Sequence, residues 1–372
     1  MLHPVTTRNP CSRASNPRHR GTEHAAGDGT RARRLQSGVG ATICAPRQGA
    51  GRTAGPSCLL AAFTALSSCL PACAPAGPWA RQHTDVAPSP RSRFGLAYDS
   101  DRRVLVLFGG TLGERASGSH MADDTWEYDG TSWREVTPAV SPCARWNHAM
   151  AYDSARRVVV LFGGMADDPL GDTWEYDGRS WREVTPAASP PAGSDFGVAY
   201  DAAREVVVLA GWDALWEYDG QTWAQAAFAP AVQRLGREIV YDSARSVVVL
   251  AGGEQDAQGA STWEYDGQTW VETVAAEHSA PALAWPGLAY DSGRRRVVLF
   301  GGRAGNDVLS AATWEYDGTA WTEVTSERSP RARLSPGLAY DAARGVTMLF
   351  GGTGSDGHAT VVLNDTWEYR AE

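Results

Sequence analysis

The chain has 372 residues and a formal net charge of −9, and arginine is its only basic residue type apart from histidine. The charge is unevenly distributed. The first 76 residues carry nine arginines against Glu23 and Asp28, a net charge of +7, whereas the remainder carries −16. Because an acidic body repels nucleic acids and anionic membranes at long range, we expect no nucleic-acid partner.

Residues 1–57 are rich in Arg, Gly, Ala, Thr and Ser and show no apolar periodicity. A segment of this composition cannot bury enough apolar surface to order itself. It is therefore predicted to be a disordered leader, or to precede the true start of translation.

Residues 58–76 form a short apolar stretch that fits the central region of a signal peptide and is too short to remain as a membrane-spanning helix. Two sites in it, ending at Cys69 and Cys73, resemble the bacterial lipobox, whose cysteine is lipidated. Ala74-Pro75-Ala76 also suits ordinary cleavage. We therefore expect export, either as a cell-envelope lipoprotein held to the membrane only by its lipid, or as a secreted or periplasmic protein.

Two kinds of hairpin alternate along residues 77–372. The first kind is illustrated by GLAYDSDRRVLVLFGG, from Gly95 to Gly110. A Tyr strand leads into an Asp-x-x-Arg turn, where the Asp side chain can bond nearby backbone, and an apolar strand ending in Gly-Gly follows. Its tyrosines are Tyr98, Tyr152, Tyr200, Tyr241, Tyr290 and Tyr340.

The second kind is illustrated by DTWEYDGRSWREV, from Asp172 to Val184. Alternating residues flank an Asp-Gly pair, which indicates two short strands and a tight turn. The Trp-Glu-Tyr triplet recurs every 42 to 53 residues, with tryptophans at Trp126, Trp174, Trp216, Trp263, Trp314 and Trp367. Each repeat therefore predicts four antiparallel strands, here called a, b, c and d in chain order.

The order of elements in each copy resembles the kelch repeat: a strand, Gly-Gly, a variable loop, an aromatic strand, a turn and a Trp. The turn between strands c and d is shorter than in that family. The resemblance covers most of the chain, from Trp79 to Tyr369, and implies an all-β β-propeller, for which the six copies predict six blades. The sixth copy lacks strand d, whereas Trp79 lies 19 residues before Tyr98, as Trp133 does before Tyr152. Residues 79–83 are thus expected to pair with Thr366 to Tyr369 and close the ring.

Two features repeated in every blade are interpreted as scaffold. Twelve of the 15 tryptophans occupy repeat positions, which favours blade-to-blade packing over a sugar-binding array. The Arg of the first turn and the Glu of Trp-Glu-Tyr are predicted to pair across strands b and c within each blade.

The loops between strands b and c, and the connections between blades, vary and share one face, so we expect a ligand site there. Four arginines lie seven residues before the strand-a Tyr and are expected to ring the channel mouth, although pairing with loop acids such as Asp123, Asp167 and Asp307 is the alternative. Other donors and aromatic faces are expected nearby. The predicted ligand-binding residues are Arg91, Arg145, Trp146, Asn147, His148, Asp195, Trp212, Arg234, Arg237, Trp285 and Arg333.

No HExxH, CxxC, GxSxG or phosphate-binding loop occurs in the sequence. The sequence therefore predicts a monomeric, non-catalytic binding module without cofactor or metal. Its ligand is expected to be a protein or a carbohydrate, including anionic ones. The resemblance also implies an alternative, a carbohydrate-active enzyme similar to the kelch-type sialic-acid mutarotases.

Overall fold

The computed structural model describes residues 77–113, 120–211, 214–226, 237–253, 261–273 and 282–371. They form six antiparallel four-stranded sheets in a ring, which confirms the predicted β-propeller. The innermost strands contact one another in a closed cycle, blade 1 to blade 6 and back to blade 1. No helix among the described residues is long and apolar enough to cross a membrane, and the predicted lipidation sites Cys69 and Cys73 lie outside those residues.

Each blade contributes strands a, b, c and d from the channel outward. Blade 1 contains β3 (Gly95–Asp99), β4 (Val104–Phe108), β6 (Thr125–Tyr128) and β7 (Trp133–Val136). Blade 2 contains β8 (Ala149–Asp153), β9 (Val158–Met165), β10 (Pro169–Tyr176) and β11 (Trp181–Val184). Blade 3 contains β12 (Gly197–Asp201), β13 (Val206–Ala210), β14 (Leu215–Tyr218) and β15 (Trp223–Ala226).

Blade 4 contains β16 (Arg237–Asp242), β17 (Val247–Gly252), β18 (Thr262–Tyr265) and β19 (Trp270–Thr273). Blade 5 contains β20 (Gly287–Asp291), β21 (Arg296–Phe300), β22 (Thr313–Tyr316) and β23 (Trp321–Val324). Blade 6 contains β25 (Gly337–Asp341), β26 (Val346–Ser355), β27 (Thr360–Tyr369) and, as its strand d, β1 (Trp79–Gln82). Smaller elements are β2 (Arg91–Ser92), β5 (Thr111–Leu112), β24 (Arg333–Leu334) and a 3₁₀ turn at Gly305–Asp307.

The ring closes as the sequence predicts. Strand β1 pairs antiparallel with β27, with Trp79 opposite Tyr369 and Gln82 opposite Thr366. Trp79 is 1% exposed and packs against Phe300 of blade 5. The earliest described segment thus supplies the outer strand of the last blade and removes the open edge that β27 would otherwise present along this stretch.

The apolar core is divided among the six blade interfaces. The cluster between blades 1 and 2 is typical: Val106 and Phe108 from β4 meet Leu161 from β9 and Trp181 from β11. The apolar runs of strand b are buried on both faces because every sheet lies between two neighbours. This arrangement explains why strand b reads as a continuous apolar run, whereas strand d buries its tryptophan and exposes the two residues that follow.

Each strand-d tryptophan also bonds to the preceding blade when that blade offers an acceptor. The indole of Trp181, for example, donates to Thr125 Oγ1 at 3.0 Å, and Trp79, Trp133, Trp223 and Trp321 donate likewise. Among the described residues the Trp270 indole has no hydrogen-bond partner, because Leu215 stands where the other blades have Thr.

The predicted Arg–Glu pairs are present in all six blades, and the structure extends them into a network. In blade 1, Arg102 contacts both Asp99 and Glu127. Tyr176 of blade 2 donates its hydroxyl to Glu127 at 3.0 Å, and the Arg102 guanidinium stacks on its ring. The corresponding Arg–Glu pairs are Arg156–Glu175, Arg204–Glu217, Arg245–Glu264, Arg294–Glu315 and Arg344–Glu368. The stacks of these arginines on tyrosines of the neighbouring blade cross all six interfaces of the ring, as expected for a scaffold role.

Candidate functional site

The strand-a segments of all six blades line a central cavity of about 400 Å³. Its two ends differ. At one end, the a–b turns place the six repeated tyrosines, whereas at the other end the chain enters strand a from the variable connections. Between them lies an apolar waist that includes Leu96, Met150 and Ile239. We call the variable end the mouth.

The mouth is built from residues five positions before each strand-a tyrosine. Five of these residues are described and none is glycine, yet all adopt positive φ, between 49° and 61°. The Asn147 N–H donates to the Arg93 carbonyl, the Asp195 N–H to the Asn147 carbonyl, and the Ser335 N–H to the Trp285 carbonyl. Backbone bonds between adjacent blades therefore hold these positions in a conformation that non-glycine residues rarely adopt.

Positions that share this backbone carry different side chains: Arg93, Asn147, Asp195, Trp285 and Ser335. Asn147 Nδ2 donates to Asp195 Oδ1 at 2.5 Å, and the Arg93 guanidinium lies 4.9 Å from the ring centroid of Trp146. On blade 5, Arg303 stacks on Trp285 at 4.8 Å. The mouth therefore combines a cation, an amide, a carboxylate, a hydroxyl and indole faces on a fixed backbone.

Glu238 also lines the cavity, and sequence reasoning missed it. It is partly exposed, and it has no hydrogen bond or ion pair among the described residues. Burial, and secondarily the charge of Asp195, raises the pKa of Glu238 to about 8. The available signal was a departure from the repeat, because the other blades place a small residue at this position: Gly95, Ala149, Gly197, Gly287 and Gly337.

Close packing between inner strands explains why the other blades have Gly or Ala at the position of Glu238. A Cβ on Gly287 would lie 2.3 Å from Leu338 Cδ1, and one on Gly95 would lie 2.6 Å from His148 Nε2. Blade 4 therefore departs from its neighbours by placing a carboxyl group where adjacent inner strands otherwise meet closely.

Three predicted arginines are not at the mouth surface. Arg91, Arg145 and Arg333 are 0% exposed. Each forms a two-pronged ion pair with an aspartate two residues before the Trp-Glu-Tyr triplet of its own blade: Asp124, Asp172 and Asp365, with N–O distances of 2.6 to 2.9 Å. These arginines therefore pair with acidic residues, as in the alternative stated above, but not with Asp123, Asp167 or Asp307. Their guanidinium groups are not available to a ligand.

The same correlation is visible along the sequence. Blades 3 and 5 lack the arginine and also lack the aspartate, with Gly193 and Ala214 in one and Leu283 and Ala312 in the other. Arginine and aspartate are thus both present or both absent in five blades, whereas blade 4 has Arg234 but Ser261 at the aspartate position.

His148 is 6% exposed, and its Nε2 accepts a hydrogen bond from the Gly95 N–H at 3.1 Å. Burial, and then the charge of Arg145, lowers the pKa of His148 to about 3, so the ring is neutral at physiological pH. It borders the cavity as a structural contact between blades 1 and 2.

The remaining predicted residues divide into two groups. Asn147, Asp195 and Trp285 lie together at the mouth, with Trp146 beside them. Trp212 and Arg234 lie outside the described residues, and Arg237 is described only as the first backbone position of β16. Within the described ranges, no three His, Cys, Asp or Glu side chains gather as metal ligands would.

Comparison with known proteins supports the fold. No protein-family model matches the sequence, so kelch membership stays a prediction. No curated protein matches it either. Among solved structures, one titled "Structure of YjhT" is similar, with a TM-score of 0.54, 12% identity, and coverage of 76% of this chain and 99% of that chain. At this identity the likeness bears on the propeller fold alone.

The buried pairs yield a stability prediction. Arg145→Leu leaves the Asp172 carboxylate, which is only 19% exposed, without its arginine partner. The substitution should cost about 3 kcal/mol of unfolding free energy, measured by chemical denaturation. Adding Asp172→Ala recreates the Leu and Ala found in blade 5, and should recover more than half of that loss. Wild-type stability of Arg145→Leu would contradict the pairing role.

Proposed function

We propose that this protein is an exported binding module of kelch type, which takes its ligand at the mouth of the propeller channel. The proposal rests on one observation: equivalent backbone positions around the mouth carry a different side chain in each described blade, whereas the scaffold residues repeat. A scaffold needs repetition, because each interface resembles the next. Recognition needs unlike groups that converge on one space.

The size and lining of the cavity support a small ligand. A volume of about 400 Å³ lies within the range of small-molecule sites, roughly 300 to 1,000 Å³. Trp285 offers an indole face, and Asn147, Asp195 and Ser335 offer hydrogen-bonding groups. A carbohydrate or a protein side chain that enters the channel would meet both kinds of surface.

A carbohydrate-active enzyme, similar to kelch-type sialic-acid mutarotases, is the second candidate. Glu238 favours it, because a carboxyl group with a pKa of about 8 can exchange a proton near neutral pH. The negative charge of Asp195 contributes to the raised pKa of Glu238. Faster anomeric exchange of N-acetylneuraminic acid, followed by NMR and lost in Glu238→Gln, would establish catalysis. Anomeric exchange at the rate measured in buffer without protein would leave the non-catalytic binding function as the candidate.

The mouth can be tested without altering the backbone. Arg93→Gly, Asn147→Gly and Asp195→Gly remove three side chains where φ is positive and glycine is unstrained. We expect the triple variant to lose at least tenfold in affinity for ligands found by saturation-transfer NMR in a panel of neutral and acidic sugars and peptides.

The matched control is Arg103→Gly, Arg157→Gly and Arg295→Gly. These residues also have positive φ but belong to the turns between strands a and b, at the other end of the channel. The control should retain wild-type affinity. Equal affinity of both triple variants and the wild type would remove the mouth from consideration as the binding site.

Export and a lipid anchor are proposed from residues 58–76, whose sequence supports them. Radiolabelled palmitate should enter the wild-type protein in a bacterial host. The label should disappear when the modified cysteine, Cys69 or Cys73, is replaced by Ala. Absence of label from the wild type would eliminate the anchor and leave secretion or a periplasmic location.

A further inference from the structure

The charged groups of the mouth are divided between opposite sides of the ring. Arg93 belongs to blade 1, Asp195 to blade 3 and Glu238 to blade 4. In a closed ring of six blades, blade 1 faces blade 4 across the axis. The Arg93 cation therefore stands opposite the Glu238 carboxyl group, with the Asp195 carboxyl group on the neighbouring blade, and all three line the cavity.

Arg93 is set up to receive an anion. Its guanidinium stacks on Trp146, which fixes the plane of the group, and it has no ion pair among the described residues. By contrast, Arg303, the other stacked arginine of the mouth, pairs with Asp307 at 3.0 Å. A planar guanidinium held on an indole face matches the two oxygens of a carboxylate.

Among the described side chains of blades 3 and 4, none at the mouth is a cation, and the side chains of Arg234 and Arg237 lie outside those described. Asp195 accepts hydrogen bonds from Asn147 and from Ser194, which hold it in place, whereas Glu238 accepts none from the described residues. The raised pKa of Glu238 has burial and the Asp195 charge as its causes, and a positive group between the two carboxyl groups would counter both. An ammonium group has the charge and the donors that this pair is missing.

We propose that the mouth binds a small zwitterion whose carboxylate contacts Arg93 and whose ammonium group lies between Asp195 and Glu238. This inference rests on the proposed function, because it names the ligand class of that same site. Since the two charged sides face each other across the channel, the ligand must carry its charges at its two ends. The indole of Trp285 and the apolar waist can pack against the methylene groups between them.

The probe is 6-aminohexanoate, measured by calorimetry on the full chain. Hexanoate and hexylamine are its single-charge analogues with the same apolar stem. We expect the zwitterion to bind at least tenfold more tightly than either analogue, because only it satisfies both sides. Equal affinity of the three compounds, or no binding of 6-aminohexanoate to the wild type, would overturn the inference.

Two variants separate the two ends. Arg93→Gln should reduce affinity for 6-aminohexanoate and hexanoate about tenfold or more and leave affinity for hexylamine unchanged. Glu238→Gln should reduce affinity for 6-aminohexanoate and hexylamine and leave affinity for hexanoate unchanged. Arg93→Lys keeps the charge and should retain part of the binding, which distinguishes charge recognition from damage to the fold. Arg103→Gln, at the far end of the channel, is the control and should behave as the wild type in all three titrations.

The outcomes distinguish this inference from the proposal on which it rests. If sugars or peptides bind in a manner that the glycine variants of the mouth abolish while 6-aminohexanoate does not bind, the ligand class is wrong and the binding site stands. If the glycine variants change the binding of no compound, both are wrong.

Discussion

Closure of the ring by β1 is the constraint on which the rest of the structure depends. Six radial sheets bury their apolar faces only against one another, so each interface requires both of its neighbours. Trp79 places its indole between Phe300 and Tyr369 and donates to Thr313, thereby joining blade 6 to blade 5. With the circle complete, the inner strands have a common axis, and residues far apart in the chain face one cavity.

Much of this arrangement was predictable because repetition reveals which residues serve every blade. The Arg–Glu pairs, the strand-d tryptophans and the register of β1 on β27 follow from counting along the copies. The exposure of Arg91, Arg145 and Arg333 was misjudged for a different reason. Their distance from the strand-a tyrosine places them four residues before that strand begins, and it does not tell whether a guanidinium is exposed. The partner, such as Asp172 for Arg145, is separated by 27 residues and is identified only by comparing blades.

The mouth itself could not be derived from local preference. Arg93, Trp285 and Ser335 are residues that disfavour positive φ, and they adopt it because neighbouring blades bond their backbones together. Glu238 was detectable in principle, as the one acidic residue at a position that is otherwise Gly or Ala. In this protein the departures from the repeat mark the candidate site, and the repeats mark what supports it. In the six-bladed ring, blade 1 with its cation faces blade 4 with its carboxyl group across the channel.

Amide hydrogen exchange of the full chain tests ring closure most directly. The account predicts that Trp79–Gln82 and Thr366–Tyr369 are both protected, and that they lose protection together as denaturant is added, because each forms half of the same antiparallel ladder. Free exchange of Trp79–Gln82 while Thr366–Tyr369 stays protected would contradict it, and with it the common axis that defines the mouth.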